Sequence, residues 1–426
     1  MSSRRLRGGF ALGARLCAAL LLFAALAAHA AEKTLRVAVT GDYPPLCERT
    51  EPGNYVGLDP DIARAFAAQR GYAIAWVPVT WPELGAALAE GRFDVAMTGV
   101  TVRVDRSIAG RFSVPVTESG AVVLVRDAAL ASEEALSAPG VALTVNAGGH
   151  LERVARARFP RAAISALPDN SAVRDAFASG AARAVLTDTL EAPSWRALAP
   201  EAAVVGPLTR DVKAYWLPAD RAALAAELDA WLLEREADGT LARLRMQWLG
   251  AAAAERRSAT PALALVAVLA ERLALSPAVA EAKRASGAPV FVPEREAQVL
   301  AAAVAAAEQA GRREGRAVPD KPALAKFFGV LLETSRAIQS AVLAAPPRPS
   351  DAPAWSLDAD LRPALTRQTE RIAALLPLLP IRLSESALEE ELAARASELP
   401  GFDASTRSAL ATAIAEVASA PRHSQR

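Results

Sequence analysis

The sequence is 426 residues long, too long for one ordinary domain, and two or three domains are expected. Its 48 Lys and Arg against 47 Asp and Glu argue against a nucleic-acid surface, which needs a concentrated basic excess. The two cysteines and three histidines lack the spacing of metal ligands, and the sequence has no Gly-rich phosphate loop. We therefore predict neither a metal nor another cofactor.

The first 30 residues have the pattern of an export signal. Three arginines among the first seven residues form a basic start, and an apolar run follows at 16–28. The small-x-small sequence that ends at Ala30 is typical of a cleavage site. We therefore predict a signal peptide over 1–30, export to the periplasm, and no membrane attachment of the mature chain. A retained membrane anchor is the alternative, and the short apolar run argues against it.

The next segment, 31–249, alternates short apolar strands with amphipathic helices. The predicted strands lie at 35–39, 74–79, 95–98, 121–125, 141–145 and 184–186, and the predicted helices at 59–70, 81–90 and 151–158. This alternation predicts an α/β fold in which helices cover both faces of the sheets.

The composition changes sharply after residue 249. Residues 250–261 are Ala-rich and polar and are predicted to form a linker, and 262–426 are rich in Ala, Leu, Glu and Arg with a helical period. A proline-rich break at 346–353 divides this all-α part into two blocks. The apolar stretch at 262–275 contains two charged residues and is predicted to be a helix of this domain rather than a membrane span.

Four strings in the first half occur in a specific order. They are LRVAVTGDY at 35–43, YVGLDPD at 55–61, FDVAMTG at 93–99, and Asp105-Arg106 followed by Phe112-Ser113. This set resembles the type-2 periplasmic solute-binding fold. The resemblance implies two α/β lobes, one at 31–122 plus 209–249 and the other at 123–208, which close on a small anion or amino acid.

The same resemblance implies which residues bind the ligand. Arg106 matches the arginine that holds a substrate carboxylate, and a planar guanidinium can satisfy both carboxylate oxygens at once. An ion pair of Arg106 with Asp105 is the alternative. Further donors are expected from Thr98, Gly99 and Thr101 in the first lobe, and from Asn146, Gly148 and Gly149 before a helix in the second.

A second set of strings resembles cyclohexadienyl dehydratase, a catalytic branch of that fold. They are TGDY at 40–43, TWP at 80–82 with Trp81, PDN at 168–170 and TDTLEA at 187–192. That family acts on prephenate and arogenate and expels a ring hydroxyl as CO2 departs, which needs a proton donor. Glu191 matches the general acid, and Asp188 matches the position that holds a substrate amine.

Glu191 must stay protonated at neutral pH to act as this acid, so a desolvated site is expected. The alternative is a carboxylate that only stabilises a helix N-terminus. The chain departs from the family at His150 and Leu151, where Thr-Asn is usual. Loss of these polar side chains is expected to weaken carboxylate binding unless His150 donates instead. A non-catalytic amino-acid-binding or sensing module is therefore the alternative for this half.

In the helical half, six polar residues lie in order on three predicted helices. They are Arg272, Lys283, Arg295, Glu296, Ser335 and Gln339. This order resembles the all-helical chorismate mutases, and the extra helical block resembles their secreted gamma class. The resemblance implies that an arginine from the second block completes the site, and Arg371 is the candidate, with Arg367 as the alternative. Val292 is a departure, since relatives often carry Asp there.

Rearrangement of chorismate to prephenate is one pericyclic step without a nucleophile or base. The enzyme must hold a compact conformer of the substrate and stabilise charge at the ether oxygen. The resemblance assigns the carboxylates to Arg272, Arg295, Arg371 and Ser335, the ether oxygen to Lys283 and Gln339, and the ring hydroxyl to Glu296. A bundle that serves only as a scaffold or for dimerisation is the alternative.

Together the halves predict a two-step enzyme that converts chorismate to prephenate and then prephenate or arogenate to phenylpyruvate or phenylalanine. Its predicted partners are these small molecules, without nucleic acid. The sequence leaves a homo-oligomer open.

Overall fold

The computed structural model describes residues 33–347 and 354–423. The predicted signal peptide lies outside these residues, as does most of the proline-rich break. Two five-stranded sheets, each in its own lobe, form the first half of the chain, and helices form the second half.

The first lobe is built around a buried central strand. In sheet order its strands are Tyr72–Pro78, Lys33–Val39, Val95–Ala96, Trp216–Pro218 and Gly110–Phe112, and its helices are Leu58–Arg70, Leu84–Ala89, Val104–Ala109, Ala222–Ala237 and Thr240–Leu249. Strand Lys33–Val39 pairs in parallel on both sides, and its apolar side chains are buried as expected for a strand covered on both faces. A small antiparallel ladder, Asp42–Tyr43, Cys47–Glu51 and Asn54–Val56, lies beside it.

The second lobe repeats this design. In sheet order its strands are Ala163–Leu167, Ala142–Asn146, Ala184–Asp188, Ala121–Val125 and Ala203–Val205, and its helices are Glu133–Leu136, His150–Arg158, Asn170–Ala178 and Ala192–Leu198. The lobe boundary predicted between residues 122 and 123 needs correction, because Ala121 and Val122 pair with Asp188 and Thr187 in this sheet. The chain crosses between lobes on Thr117–Ser119 and returns on the antiparallel strand Asp211–Lys213.

The strands and helices predicted for the first half are present, with shifted ends. The helix predicted at 81–90 is reduced to Leu84–Ala89, because Thr80 Oγ1 donates a 2.9 Å hydrogen bond to Glu83 and holds the preceding residues in a turn. Strand Ala163–Leu167 was not predicted. Its burial pattern has no fully buried position, so it carries no apolar alternation.

The second half is helical, as predicted. Its helices are Ala251–Glu255, Pro261–Leu273, Ser276–Ser286, Pro293–Glu314, Lys321–Ala344, Arg362–Leu375, Glu385–Ala396 and Ala404–Ser419. One two-residue ladder joins Val318–Pro319 to Arg422–His423. Helices Pro261–Leu273 and Ser276–Ser286 are separated by a turn at Ala274 and Leu275, and Pro277 lies in the first turn of the second helix, where its missing N–H is tolerated.

Among the described residues, one helical stretch, Pro261–Ser286, is long and apolar enough to cross a membrane by length and composition. Its most apolar window is 67% buried inside the fold. Leu265, Val266 and Leu269 of this stretch are fully buried in the core. Burial of this kind is what a core helix requires, in keeping with the prediction for 262–275.

The predicted linker at 250–261 packs against the first lobe. Ala259 and Ser258 are 0% and 2% exposed, and the Ala259 N–H donates to Glu236 at 3.2 Å. Glu236 also forms a fully buried ion pair with Arg245 at 2.6 Å. One continuous hydrophobic core extends from the first lobe into the helical half, whereas the second lobe has separate clusters. The first lobe and the helical half therefore share one packed body.

Candidate active sites

The first site is the cleft between the two lobes. Its lining residues are Tyr43, Trp81, Gly99, Thr101, Arg106, Asn146, Gly149, His150, Leu151, Asn170, Asp188 and Lys213. Seven of the predicted ligand-binding residues are among them, namely Trp81, Gly99, Thr101, Arg106, Asn146, Gly149 and Asp188. Thr98 lies behind this wall, where its hydroxyl accepts a hydrogen bond from the Thr40 N–H at 3.1 Å.

Arg106 is a buried cation that faces the cleft. Its side chain donates to the carbonyl of Thr101 at 3.0 Å, and burial lowers its pKa to about 9. Asp105, the alternative partner, pairs instead with Arg103 and Arg153 at 2.9 and 3.1 Å. Across the described ranges Arg106 has no carboxylate partner within ion-pair distance. A buried guanidinium in this state favours an anionic ligand in the cleft.

Asp188 lies at the end of strand Ala184–Asp188, on the opposite wall. Its carboxylate accepts a hydrogen bond from the Tyr43 hydroxyl across the cleft, and Lys213 Nζ lies 3.4 Å away. Lys213 also donates to Thr101 Oγ1 at 2.8 Å. The lysine ammonium therefore already occupies the side of Asp188 that a substrate amine would approach.

Glu191 is fully buried just beyond the same strand. Its carboxyl accepts hydrogen bonds from Thr187 Oγ1 at 2.9 Å and from Asn170 Nδ2 at 3.2 Å. Burial and the neighbouring charge of Asp188 raise the pKa of Glu191 well above its ordinary value. Asn170 lines the cleft and Glu191 lies directly behind it. The site therefore contains a desolvated carboxyl group, with its pKa shifted toward the protonated form, one side chain away from the cleft.

Gly148 lets the second lobe approach the first closely, and Gly149 allows close packing within the second lobe. Gly148 has φ +69, and a Cβ at this position would lie 2.8 Å from the Pro82 Cα of the opposite lobe. A Cβ on Gly149 would lie 2.5 Å from Asn146 Nδ2. Gly149 then precedes the helix His150–Arg158, which leaves free N–H groups at the cleft.

His150 lines the cleft, and its buried Nδ1 has no hydrogen-bond partner among the described residues. Its Nε2 lies 3.0 Å from Asp211 Oδ1 on the returning strand, and burial lowers the pKa of the imidazole. The imidazole is therefore directed toward Asp211. Tyr43, Asn170 and Lys213 were not predicted as site residues. The first two stand inside the quoted strings, but Lys213 belongs to no string and reaches the cleft through the crossing strand.

The second site is the seam between three helices of the second half. Arg272 donates to Ser335 Oγ at 3.0 Å, and Lys283 donates to Gln339 Oε1 at 2.9 Å. Ser335 and Gln339 are four residues apart on helix Lys321–Ala344, so they share a face. These four predicted residues therefore come together in one row.

The electrostatics of this row favour an anion. Arg272 is 4% exposed, burial lowers its pKa to about 10, and no carboxylate of the described chain pairs with it. Its Nε lies 3.3 Å from Thr369 Oγ1 of the second helical block. Burial also lowers the pKa of Lys283, although the nearby Glu296 carboxylate acts in the opposite direction. Two cations with lowered pKa values thus contact the same face of helix Lys321–Ala344.

Arg295 lies on the rim of this seam. It is exposed and lines an open depression together with Arg362 and Asp358. Arg362 of the second block pairs with Asp358, and its charge contributes to the lowered pKa of Lys283. Val292 is the N-cap of helix Pro293–Glu314 and supplies no side-chain hydrogen bond there.

Arg371 is not brought to the cluster. It pairs with Glu271 at 2.6 Å and donates to the Ser113 carbonyl of the first lobe at 2.9 Å. Arg367 likewise donates to the Ile108 carbonyl of the first lobe at 2.6 Å. Both second-block candidates therefore contact the first lobe, and the structure brings neither of them to the Arg272–Lys283 row.

Comparison with known proteins gives one family for each half. Residues 35–251 match the bacterial extracellular solute-binding proteins, family 3, and residues 263–340 match chorismate mutase type II. Cyclohexadienyl dehydratase from Pseudomonas aeruginosa is 36% identical over 246 residues, which cover 55% of this chain and 91% of that protein. The L-cystine-binding protein TcyJ of Escherichia coli K12 is 26% identical over 223 residues, which cover 51% and 83%. The solved structure of an ancestral amino acid-binding protein, a precursor of cyclohexadienyl dehydratase, is 32% identical with a TM-score of 0.48 and coverage of 51% and 95%.

Proposed function

The chain belongs to family 3 of the bacterial extracellular solute-binding proteins and carries a chorismate mutase type II domain, and we propose that it converts chorismate to phenylpyruvate in two steps. The helical half rearranges chorismate to prephenate. The two-lobed half then dehydrates and decarboxylates prephenate. The observation that carries the second step is the fully buried Glu191 carboxyl, whose pKa is raised, beside a cleft that contains Arg106 without a carboxylate partner among the described residues.

In the first step the helical site holds the substrate rather than reacting with it. Arg272 and Arg295 supply cationic donors for the two carboxylates, and Lys283 supplies a donor for the ether oxygen. Gln339 presents its amide beside Lys283, since Lys283 already engages the Oε1 atom. Charge that develops on the ether oxygen is therefore met by donors that are in place before the reaction.

In the second step Arg106 binds the side-chain carboxylate of prephenate. The ring carboxylate leaves as CO2, and its electron pair enters the ring as the C–OH bond on the opposite carbon breaks. The leaving hydroxide takes the proton of Glu191 and departs as water, so the ring becomes aromatic. Because Glu191 lies behind Asn170, proton delivery requires that the Asn170 side chain turn aside when the substrate binds.

Prephenate is the preferred substrate of the cleft in this proposal. Arogenate carries an ammonium group where prephenate carries a ketone, and this ammonium would compete with Lys213 for Asp188. The signal predicted at 1–30 and the extracellular family favour action in the periplasm, on small-molecule substrates. A homo-oligomer stays a prediction.

A time course on the mature protein tests the proposal. Chorismate is supplied at neutral pH, and prephenate and phenylpyruvate are followed separately without acid quenching, which converts prephenate chemically. We expect prephenate first and phenylpyruvate after a lag. The Glu191→Gln variant should stop at prephenate, and the Lys283→Met variant should leave chorismate unconverted while still consuming added prephenate. Wild-type protein that stops at prephenate would instead identify the first half as a binding module.

A further inference from the structure

A cavity of about 230 Å³ lies between the first lobe and the helical half, outside both catalytic sites. One wall is apolar and includes Val102 and Val212 of the first lobe with Ala267 and Ala270 of helix Pro261–Leu273. The cavity is smaller than the range of about 300–1,000 Å³ that is usual for drug-sized ligands. Its size suits a molecule with a single ring.

The other wall contains arginine side chains whose donors are not all used. The Arg395 side chain is 4% exposed and pairs with Glu118, but its Nε and Nη1 have no hydrogen-bond partner within the described residues. The same holds for Nε of Arg371 and Nη1 of Arg103. A buried, unpaired donor on a charged group is costly, by more than the roughly 1–3 kcal/mol of a neutral group. These nitrogens are themselves buried, so an acceptor in the cavity removes this cost when the guanidinium groups turn toward it.

Guanidinium donors beside an apolar wall select a particular ligand chemistry. A carboxylate satisfies the planar guanidinium in a bidentate manner, and a ring packs on Val and Ala side chains. An inorganic anion would leave the apolar wall uncovered. The cavity therefore fits a small, ring-bearing carboxylate.

The cavity is lined by residues that adjoin residues of each catalytic site. Asp211 lines it, and its Oδ1 is 3.0 Å from the imidazole of His150, which lines the cleft. Glu271 lines it on the other side and precedes Arg272 of the mutase row. Glu271 also pairs with Arg371, another lining residue.

We propose that this interdomain cavity is a third binding site, which takes a ring-bearing carboxylate and couples the two catalytic sites. The identity of the ligand class rests on the proposed function, since substrates and products of both steps have this chemistry. Two sources are consistent with it, namely prephenate that moves from the mutase to the cleft, and phenylpyruvate that binds from solution.

Cavity filling tests whether the site exists. Ala267→Leu places a larger side chain in the cavity without a change of charge, and Ala302→Leu, on an exposed face of helix Pro293–Glu314, is the matched control. Equilibrium dialysis of the full chain with labelled phenylpyruvate should give one bound molecule fewer in Ala267→Leu than in the wild type and the control. Equal numbers would overturn the proposal. The number of bound phenylpyruvate molecules does not depend on turnover in the cleft. The dialysis therefore tests the third site independently of whether the proposed dehydratase is active.

Arg395→Gln supplies a second test if Ala267→Leu does not fold. It removes unpaired donors and keeps the cavity open, so phenylpyruvate affinity at the third site should fall about tenfold or more, as expected for loss of a charge-assisted bond of about 1.5–3 kcal/mol. Unchanged binding in this variant would also overturn the proposal.

A labelling experiment distinguishes the two sources. Labelled chorismate is converted in the presence of a large excess of unlabelled prephenate. Transit through the cavity predicts that phenylpyruvate keeps its label in the wild type and loses it in Ala267→Leu. Binding from solution predicts diluted label in both proteins and a phenylpyruvate-dependent change of KM for chorismate that Ala267→Leu abolishes. Diluted label without this change of KM would contradict coupling.

Discussion

Replacement of Gln339 by Glu tests the mutase row at one atom. Gln339 is 7% exposed, and its Oε1 accepts from Lys283 at 2.9 Å, which leaves Nε2 as the donor for the substrate ether oxygen. An ionised carboxylate would keep the contact with Lys283 but could only accept. Removal of one donor from a site of developing charge costs about 10²–10³ in kcat, or about 2.7–4 kcal/mol. We expect a loss of this size at neutral pH.

The variant should recover in acid. The Lys283 ammonium favours the ionised form of a carboxyl here and lowers its pKa relative to an equally buried carboxyl without this partner, so we expect it to be ionised at neutral pH. Its protonated form donates again, and mutase activity should therefore be present below that pKa and be lost as the pH rises through it. The rate of chorismate loss as a function of pH measures this. Gln309→Glu, an exposed position on another helix, is the control for charge alone. A defect that does not depend on pH, or no defect, would refute the assigned role.

The remaining predictions concern the two-lobed half. Glu191→Gln should lower the rate of prephenate dehydration by about 10²–10⁴ and leave mutase activity unchanged. The dehydration rate of the wild type should decrease as the pH rises through the raised pKa of Glu191, and the variant should not show this decrease. Arg106→Lys should raise KM for prephenate by about ten- to a hundredfold through loss of the bidentate contact, measured by steady-state kinetics. Lys213→Met should shift the ratio of kcat/KM toward arogenate, because it frees Asp188, and an unchanged ratio would remove this explanation. Burial gives Asp59 a pKa of about 7 in the fold, against about 3.9 in the unfolded chain. The urea concentration at the unfolding midpoint should therefore decrease as the pH rises from about 4 to about 7, and this decrease should be smaller in Asp59→Asn.

The cleft shows which site residues a sequence can reveal. Arg106 and Asp188 each stand within one short string of the sequence, so a local pattern is enough to identify them. Lys213 reaches Asp188 only because the returning strand crosses between the lobes, so its role depends on the tertiary fold. No local pattern distinguishes this lysine from a surface lysine.

The second helical block shows the opposite case, in which a pattern was visible but its environment was not. Helical spacing places Arg367 and Arg371 on one face, as assumed. The sequence did not indicate that the first lobe would cover this face and supply the carbonyls of Ile108 and Ser113. Arg362, earlier in the same helix, pairs with Asp358 and contributes to the lowered pKa of Lys283.

The shared core determines how such a fused enzyme can move. Because the first lobe and the mutase domain are packed into one hydrophobic core, substrate entry to the cleft requires motion of the second lobe, which has separate cores. That motion bends the two crossing strands, Thr117–Ser119 and Asp211–Lys213. Asp211 and Lys213 on the returning strand touch the cavity wall and the cleft, respectively. Opening of the cleft therefore displaces residues next to the interdomain cavity without any change in the helices that hold Arg272 and Gln339.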